Sequence, residues 1–327
     1  MEQAKQQISD RLSSDTIEAM IQELIDNPSV QAEFGDILMQ LAERGESGEE
    51  LAGFAKAMRS RMQRVEHMQD SIDVCGTGGD HSNTFNISTA VSFVLAGAGA
   101  QVTKHGNRAA TSKSGSADVL EALGVDIRMA PDRGARLNFL FAPEYHPAMK
   151  AIAPVRRRIG TATVFNMLGP ILNPADVQYQ MIGTPNARVA KLIAHAAAEL
   201  SYRRVGIVYN ERSIDELTTD GDNYAYEVSG GEISHHLISP TQYGLESADG
   251  SVLRGGSPEE NANIIQAILD GEAGGRRDTI VLNAGYALYI NGIAENISDG
   301  IRRARISIDS GSARDQLDAL VGRSFDN

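Results

Sequence analysis

Four short stretches concentrate residue types that hold phosphate groups: Gly76-Thr77-Gly78-Gly79-Asp80, Asn86-Ile87-Ser88-Thr89, Lys104-His105-Gly106-Asn107-Arg108 and Ser112-Lys113-Ser114-Gly115-Ser116. Glycines let a chain turn tightly and bring bare N–H groups against a ligand. Gly76, Gly78 and Gly79 follow an apolar run of strand type at 72–75, which places such a turn at a strand end. Residues 86–89 then open a helical pattern reaching Leu95. The unpaired N–H groups and positive dipole end of that helix favour an anion, and Ser88 and Thr89 add hydroxyl donors. Lys104 and Arg108 bring formal charge between a short strand at Val102 and a helix start near 117–123. Two donor-rich loops in this arrangement predict one polyphosphate site built from residues 73–124.

Alone, GTGGD is an ordinary strand-to-helix connection, for it lacks both the GxxxxGK[ST] of nucleotide-hydrolysing loops and the GxGxxG of dinucleotide folds. In order and spacing, however, GTGGD, NIST, KHGNR and SKSGSADVLEALG resemble the anthranilate phosphoribosyltransferase family. The resemblance continues through FLFAPEYHPAM at 139–149, PVRR at 154–157, TVFNMLGPILNP at 163–174, Asp215-Glu216-Leu217 and VLNA at 281–284. It implies an enzyme of tryptophan biosynthesis that moves phosphoribosyl from 5-phosphoribosyl 1-pyrophosphate to anthranilate. The products are N-(5-phosphoribosyl)anthranilate and pyrophosphate.

By the same resemblance, substrate is contacted by Gly76, Gly79, Asp80, Thr84, Asn86, Ile87, Ser88, Thr89, Lys104, His105, Gly106, Asn107, Arg108, Ala109, Ala110, Thr111, Ser112, Ser116 and Arg156. Gly76, Gly79, Asp80, Thr84, Asn86, Ser88, Thr89, residues 104–112 and Ser116 serve the phosphoribosyl donor, and Gly76, Asn107 and Arg156 contact anthranilate. Mg²⁺ is the implied cofactor, with Ser88, Asp215 and Glu216 as ligands; hard oxygen donors suit an ion that keeps several waters and shares substrate phosphates. Without the surrounding pattern, Arg156-Arg157-Arg158 reads as a solvated basic run and Asp215-Glu216 as a solvated loop. Arg156 suits the anthranilate carboxylate because a planar guanidinium pairs with it bidentately. No covalent nucleophile is expected, since an aromatic amine is already neutral at pH 7 and the rest is positioning and electrostatics. The resemblance also implies a homodimer through the helical domain and an association with anthranilate synthase. Two departures stand out: His81, where the family often has glycine, and a shorter stretch over 127–138. A pyrimidine nucleoside phosphorylase of the same architecture and a nucleic-acid-binding paralogue remain as alternatives.

Composition agrees with small-molecule chemistry on a globular scaffold. A chain of 327 residues with 42% apolar content can bury a sizeable core, and 32 glycines fit many tight loops. A net charge of −13 disfavours nucleic acid and anionic membranes as partners, so an anionic substrate must be gripped by local donors. The single cysteine, Cys75, leaves no internal disulfide and points to a reducing cytoplasm. MEQAKQQISD carries no apolar core of signal-peptide type, and no run approaches membrane-spanning length.

The positioning elements divide in two. Residues 1–68 read as three helices: one capped at Ser14 or Asp15 with Ile17, Met20, Ile21, Leu24 and Ile25 on one face; one over 29–43 with Phe34, Ile37, Leu38 and Leu41; and one opened by a Ser47/Glu50 capping box, carrying Leu51, Phe54, Ala55 and Met58. From 69 to 327 short apolar runs at 72–75, 139–142, 181–184 and 205–209 alternate with helices such as 187–200, followed by helices near 260–270, 278–291 and 297–305. That alternation predicts an α/β class: a small helical domain beside a larger domain with a mostly parallel central sheet, whose ligands gather at the carboxyl ends of its strands. Pro154, Gly160, Gly169, Pro170 and Pro174 mark 151–180 as the connection back to the helical domain.

Overall fold

The computed structural model describes residues 1–66, 68–80, 82–109 and 113–325. The N-terminal part holds α1 (Glu2–Gln7), α2 (Ser14–Asp26), α3 (Gln31–Arg44) and α4 (Gly48–Arg59), one short helix more than the periodicity predicts. α2 is capped one residue earlier than expected, by the Ser13 hydroxyl, which accepts from the Thr16 N–H. Both halves of the Ser47/Glu50 capping box form. Each of these helices buries the apolar stripe visible in its sequence, Ile17, Met20, Ile21 and Leu24 on α2 and Phe34, Ile37, Leu38 and Leu41 on α3.

Seven strands make one sheet: β1 (Ile72–Gly76), β2 (Val102–Gly106), β3 (Leu137–Phe141), β4 (Tyr179–Gly183), β5 (Arg204–Asn210), β6 (Asn223–Ser229) and β7 (Glu232–Ile238). Their order is β3-β2-β1-β4-β5-β6-β7. The first five pair in parallel, and β6 and β7 add an antiparallel hairpin that the apolar-run reading missed. Gly230 and Gly231 form its turn at φ 58° and 85°, a left-handed backbone that glycine adopts without steric cost. The chain walks from β1 outward to β3, then returns to lay β4 on the other side of β1. The strand order therefore reverses between β1 and β4, the place where open α/β sheets bind ligands.

Helices cover both faces. α5 (Ile87–Gly97), α6 (Ser116–Ala122) and, after α7 (Ala142–Tyr145), α8 (Met149–Ile159) and α9 (Phe165–Leu168), the helix α10 (Ala187–Ala198) occupy the crossovers. The C-terminal part is α11 (Pro258–Leu269), α12 (Gly275–Ile290), α13 (Ile297–Asp309) and α14 (Ser312–Arg323), the last of which the sequence reading did not pick out. Strand residues alternate between the two cores. Phe139, Phe141 and Met181 join Phe93, Leu282 and Ile301 on one face, while Leu140, Ile182 and Ile207 join Phe34, Phe54 and Phe165 on the other. The second core is shared by α2–α4, α8, α9 and α10, so the segment after residue 149 packs with the N-terminal helices. No helix among the described residues is long and apolar enough to cross a membrane.

Candidate active site

The first glycine turn leaves β1 and folds over Asp215. A Cβ at Gly76 would lie 2.1 Å from Asp215 Oδ2, and one at Gly183, its neighbour on β4, 1.5 Å from the Asp215 carbonyl oxygen. Two facing glycines thus open the space into which the 211–217 segment descends. The Gly78 N–H donates to Asp215 Oδ2 at 2.8 Å, and the Asp215 N–H donates to Asp80 Oδ2 at 3.3 Å. Gly78 and Gly79 take φ of 69° and 75°, so the turn requires left-handed backbone at both.

Three carboxylates meet here. Burial first, and then the negative charge of Asp80, drives the Asp215 pKa up to about 7. Burial followed by the charge of Asp215 pushes Glu216 well above the usual carboxylate range, with Lys104 and the Ser88 backbone N–H pulling the other way. Such crowding is relieved by taking up a proton or by a compensating cation. Among the described residues no three acidic, histidine or cysteine groups are arranged to enclose a metal by themselves. Hard oxygens in an incomplete, mutually repelling set would suit Mg²⁺, an ion that keeps several waters and is shared with substrate phosphates.

Beside the turn, α5 begins at Ile87 with Asn86 in the capping position, but the Asn86 side chain is used elsewhere. Its Nδ2 donates to the Ser114 carbonyl at 3.1 Å, and its Oδ1 accepts from the Ser114 hydroxyl at 3.1 Å and from Asn261 Nδ2 at 2.9 Å. This one amide ties the start of α5 to the second loop, so the two donor-rich loops do converge. The strip 253–255 braces the first loop: Phe85 donates its N–H to Leu253 O, Gly255 its N–H to Asn83 O, and Thr84 bridges to Arg254. Neither Asn261 nor this strip stands out in the sequence, because each lies some 170 residues from the motif it supports.

The second loop is folded onto the start of α6. Asp118 Oδ2 accepts from the Ala109 and Gly115 N–H groups at 2.9 and 2.8 Å, and the Asn107 carbonyl accepts from Ser116 Oγ at 3.4 Å and the Ala117 N–H at 3.2 Å. A Cβ at Gly106 would strike Ser116 Oγ at 2.1 Å, which explains a glycine there. Ala110, Thr111 and Ser112, and His81 of the first loop, lie outside the described residues.

Several expected ligand groups are placed differently from a simple phosphate clamp. Lys104 is 2% exposed, and its ammonium donates to the Val74 carbonyl at 2.5 Å and the Ser88 hydroxyl at 3.1 Å. It therefore sits under the site, against Ser88, rather than reaching out from the loop. The exposed Arg108 guanidinium is held by Asp118 at 3.1 Å and Glu121 at 2.5 Å. The Ile87 N–H donates to Phe85 O, and the Thr89 hydroxyl is buried without a partner among the described residues.

His105 faces a histidine that sequence reasoning gave no role. Nε2 of His105 and Nε2 of His146 lie 3.1 Å apart, with ring centroids 5.0 Å apart. Burial, with the His146 and Lys104 charges, pushes His105 down to about 3; burial pushes His146 down to about 4. Both rings are neutral at physiological pH. Arg156 is half-buried on α8, and burial lowers its pKa with no acidic neighbour to offset it. Its guanidinium makes no ion pair among the described residues, an arrangement that leaves a desolvated fork free for an anion.

Below these loops, Asp73 is fully buried on β1 and joins the site to the segment after α9. It accepts from the His105 N–H at 3.3 Å, Asn173 Nδ2 at 2.9 Å and Gln180 Nε2 at 3.4 Å, and Asn173 also donates to the Thr103 carbonyl at 2.8 Å.

A glycine turn at the sheet's switch point, a second loop stitched to it and a crowded carboxylate set mark an α/β fold with a candidate site for a phosphorylated ligand. Residues 68–314 match the a/b domain of a glycosyl transferase family and residues 5–62 the helical bundle domain that accompanies it. A protein of Herpetosiphon aurantiacus named anthranilate phosphoribosyltransferase is 42% identical over 321 residues, covering 96% of this chain and 95% of that protein. One of the same name from a Thermoanaerobacter species is 44% identical, covering 93% of this chain and 92% of its own. The crystal structure of the enzyme from Thermus thermophilus superposes with a TM-score of 0.91 at 36% identity, over 98% of this chain and 99% of that one. The enzyme from Saccharomyces cerevisiae, in complex with PRPP and Mg, superposes with a TM-score of 0.85 at 27% identity, over 96% and 93%. The chain belongs to the anthranilate phosphoribosyltransferase family, which are pentosyl-transferring glycosyltransferases.

Proposed function

We infer that this chain joins anthranilate to the ribose of 5-phosphoribosyl 1-pyrophosphate and releases pyrophosphate. The observation that carries the reading is the contact of the glycine turn with Asp215, beside Asp80 and Glu216, at the point where Asn86 draws in the second loop. The C1–O bond to pyrophosphate breaks with its electron pair leaving on oxygen. The anthranilate nitrogen lone pair forms the new C1–N bond, and the nitrogen then loses a proton to solvent. The N–H groups around Gly76, Gly79 and Asp80, with Thr84, Asn86, Ser88, Asn107 and Ser116, line the donor, so that developing charge on the leaving group meets fixed dipoles.

Asp215, Glu216 and Ser88 would hold Mg²⁺, which would supply positive charge for the departing pyrophosphate. Lys104 donates to the Ser88 hydroxyl and offsets part of the acidic charge of Glu216. Arg156 receives the anthranilate carboxylate, and the neutral His105–His146 pair offers the aromatic ring an uncharged wall. Residues 1–68 with part of 151–180 form the helical unit and 69–327 the α/β unit, with anthranilate entering between them. A homodimer through the helical unit completes the reading, and the one half-buried cysteine supports a cytoplasmic setting. Pure protein mixed with anthranilate, phosphoribosyl pyrophosphate and Mg²⁺ should extinguish anthranilate fluorescence. Fluorescence that holds steady at saturating donor would overturn the reading.

A further inference from the structure

The segment that carries Asp215 and Glu216 has no regular secondary structure, yet its backbone is paired almost as a strand would be. Asn283 Oδ1 accepts from the Leu217 N–H at 3.0 Å while its Nδ2 donates to the Leu217 carbonyl at 2.7 Å. One residue on, Asn223 repeats the pattern: Oδ1 accepts from the Thr218 N–H at 2.8 Å and Nδ2 donates to the Thr218 carbonyl at 2.9 Å. Asn210 Nδ2 donates to the carbonyls of Ile214 at 3.0 Å and Glu216 at 2.8 Å. A carboxamide carries the donor and acceptor of a peptide group, so each side chain stands in for a missing neighbouring strand. All three are buried, Asn223 and Asn283 fully so.

Asn210 ends β5 and Asn223 starts β6, register partners at the two ends of the loop that carries the acids, while Asn283 reaches in from α12. We propose that Asn210, Asn223 and Asn283 are positioning residues, a cradle of three side-chain amides that fixes residues 214–218 before any ligand arrives and so presents the Asp215 and Glu216 carboxylates side by side. The proposal rests on these two acids being the cation ligands. Its physical basis is that crowded carboxylates on an unrestrained loop would swing apart, and re-gathering them would be subtracted from the binding of the cation. Asparagine is required chemically, because an aspartate at 283 could still accept from Leu217 N–H but could donate to neither the Leu217 carbonyl nor that of Thr279, which Asn283 Nδ2 also reaches at 2.8 Å.

Hydrogen exchange on the ligand-free full chain tests the cradle directly: the amides of Leu217 and Thr218 should exchange as slowly as those of β5, and exchange at the rate of the neighbouring turn 211–213 would overturn the proposal. Mn²⁺ binding, followed by loss of the free-ion spin-resonance signal, tests the consequence. Asn283→Asp should weaken Mn²⁺ by roughly 10- to 100-fold, as loss of the partners that orient metal ligands does, raise the Mg²⁺ needed for half-maximal turnover, and leave the anthranilate KM within about twofold. Wild-type Mn²⁺ affinity in Asn283→Asp, while Asp215→Asn abolishes binding, refutes the cradle and spares the ligand assignment. Unchanged binding in Asp215→Asn refutes the assignment instead. Should Asn283→Asp not fold, Asn210→Asp, which loses the donors to Ile214 and Glu216, is expected to shift Mn²⁺ affinity in the same direction, and no shift there overturns the proposal.

Discussion

Gly76→Ala is the sharpest test of how the first loop and the acidic segment fit together. The new methyl carbon would stand 2.1 Å from Asp215 Oδ2 and 2.6 Å from its Cγ, far inside any tolerated contact. Asp215 must then withdraw by about 1 Å or more, which breaks its 2.8 Å hydrogen bond from the Gly78 N–H. A bond to a charged acceptor contributes about 1.5–3 kcal/mol, and forcing one methyl into a packed site costs about 1–3 kcal/mol. A combined loss of about 3–4 kcal/mol, borne by the transition state, lowers kcat/KM roughly 100- to 1,000-fold. Gly79→Ala provides the contrast: nothing lies within 4 Å of its Cβ position, and only the left-handed backbone at φ 75° opposes it, at about 1 kcal/mol. Steady-state kinetics at several Mg²⁺ concentrations, with melting curves alongside, separate the two. The reasoning fails if Gly76→Ala keeps kcat/KM within about fivefold of wild type, or if Gly79→Ala proves the more damaging.

Arg156→Ala should raise the anthranilate KM by roughly 100-fold, the worth of a lost bidentate charged pair, with the donor KM little changed; equal shifts in both would remove Arg156 from the acceptor site. The double variant Asp215→Asn, Glu216→Gln should lose magnesium-dependent turnover yet melt at or above the wild-type temperature, because it relieves buried repulsion; an unaltered magnesium titration would exclude both acids as ligands. Asp73 gives a pH signature. Burial raises its pKa to about 6 against the attraction of Lys104, so the folded chain binds the extra proton and stability falls as pH rises from about 4 to 6. Across that window wild type should lose about 3 kcal/mol relative to Asp73→Asn in urea melts, and a stability difference independent of pH would contradict the buried charge.

Much of the positional information was legible because it is local. The Ser47/Glu50 box, the apolar stripes of α2 to α4 and the glycine turn after β1 each depend on residues a few positions apart, and each forms. The β6–β7 hairpin was missed although its signal is equally local, two glycines between alternating runs, because continuous apolar stretches mark buried parallel strands and this half-exposed pair has none. Lys104 and Arg108 illustrate the opposite case. Both look like loop cations free to meet phosphate, but the first is taken up by Val74 and Ser88 and the second by Asp118 and Glu121, and only packing could assign those partners.

Residue order along the chain was enough to say where the turns fall, which helix faces seek a core, and which family the loop motifs resemble. Which of those turns meet was decided by the three-dimensional packing. Asp215 reaches Gly78 across 137 positions, Asn261 reaches Asn86 across 175 and Asn173 reaches Asp73 across 100. The reason is physical: a backbone conformation is set by neighbours in the chain, whereas burial, charge compensation and hydrogen-bond partners are set by whatever the sheet order brings within a few ångströms.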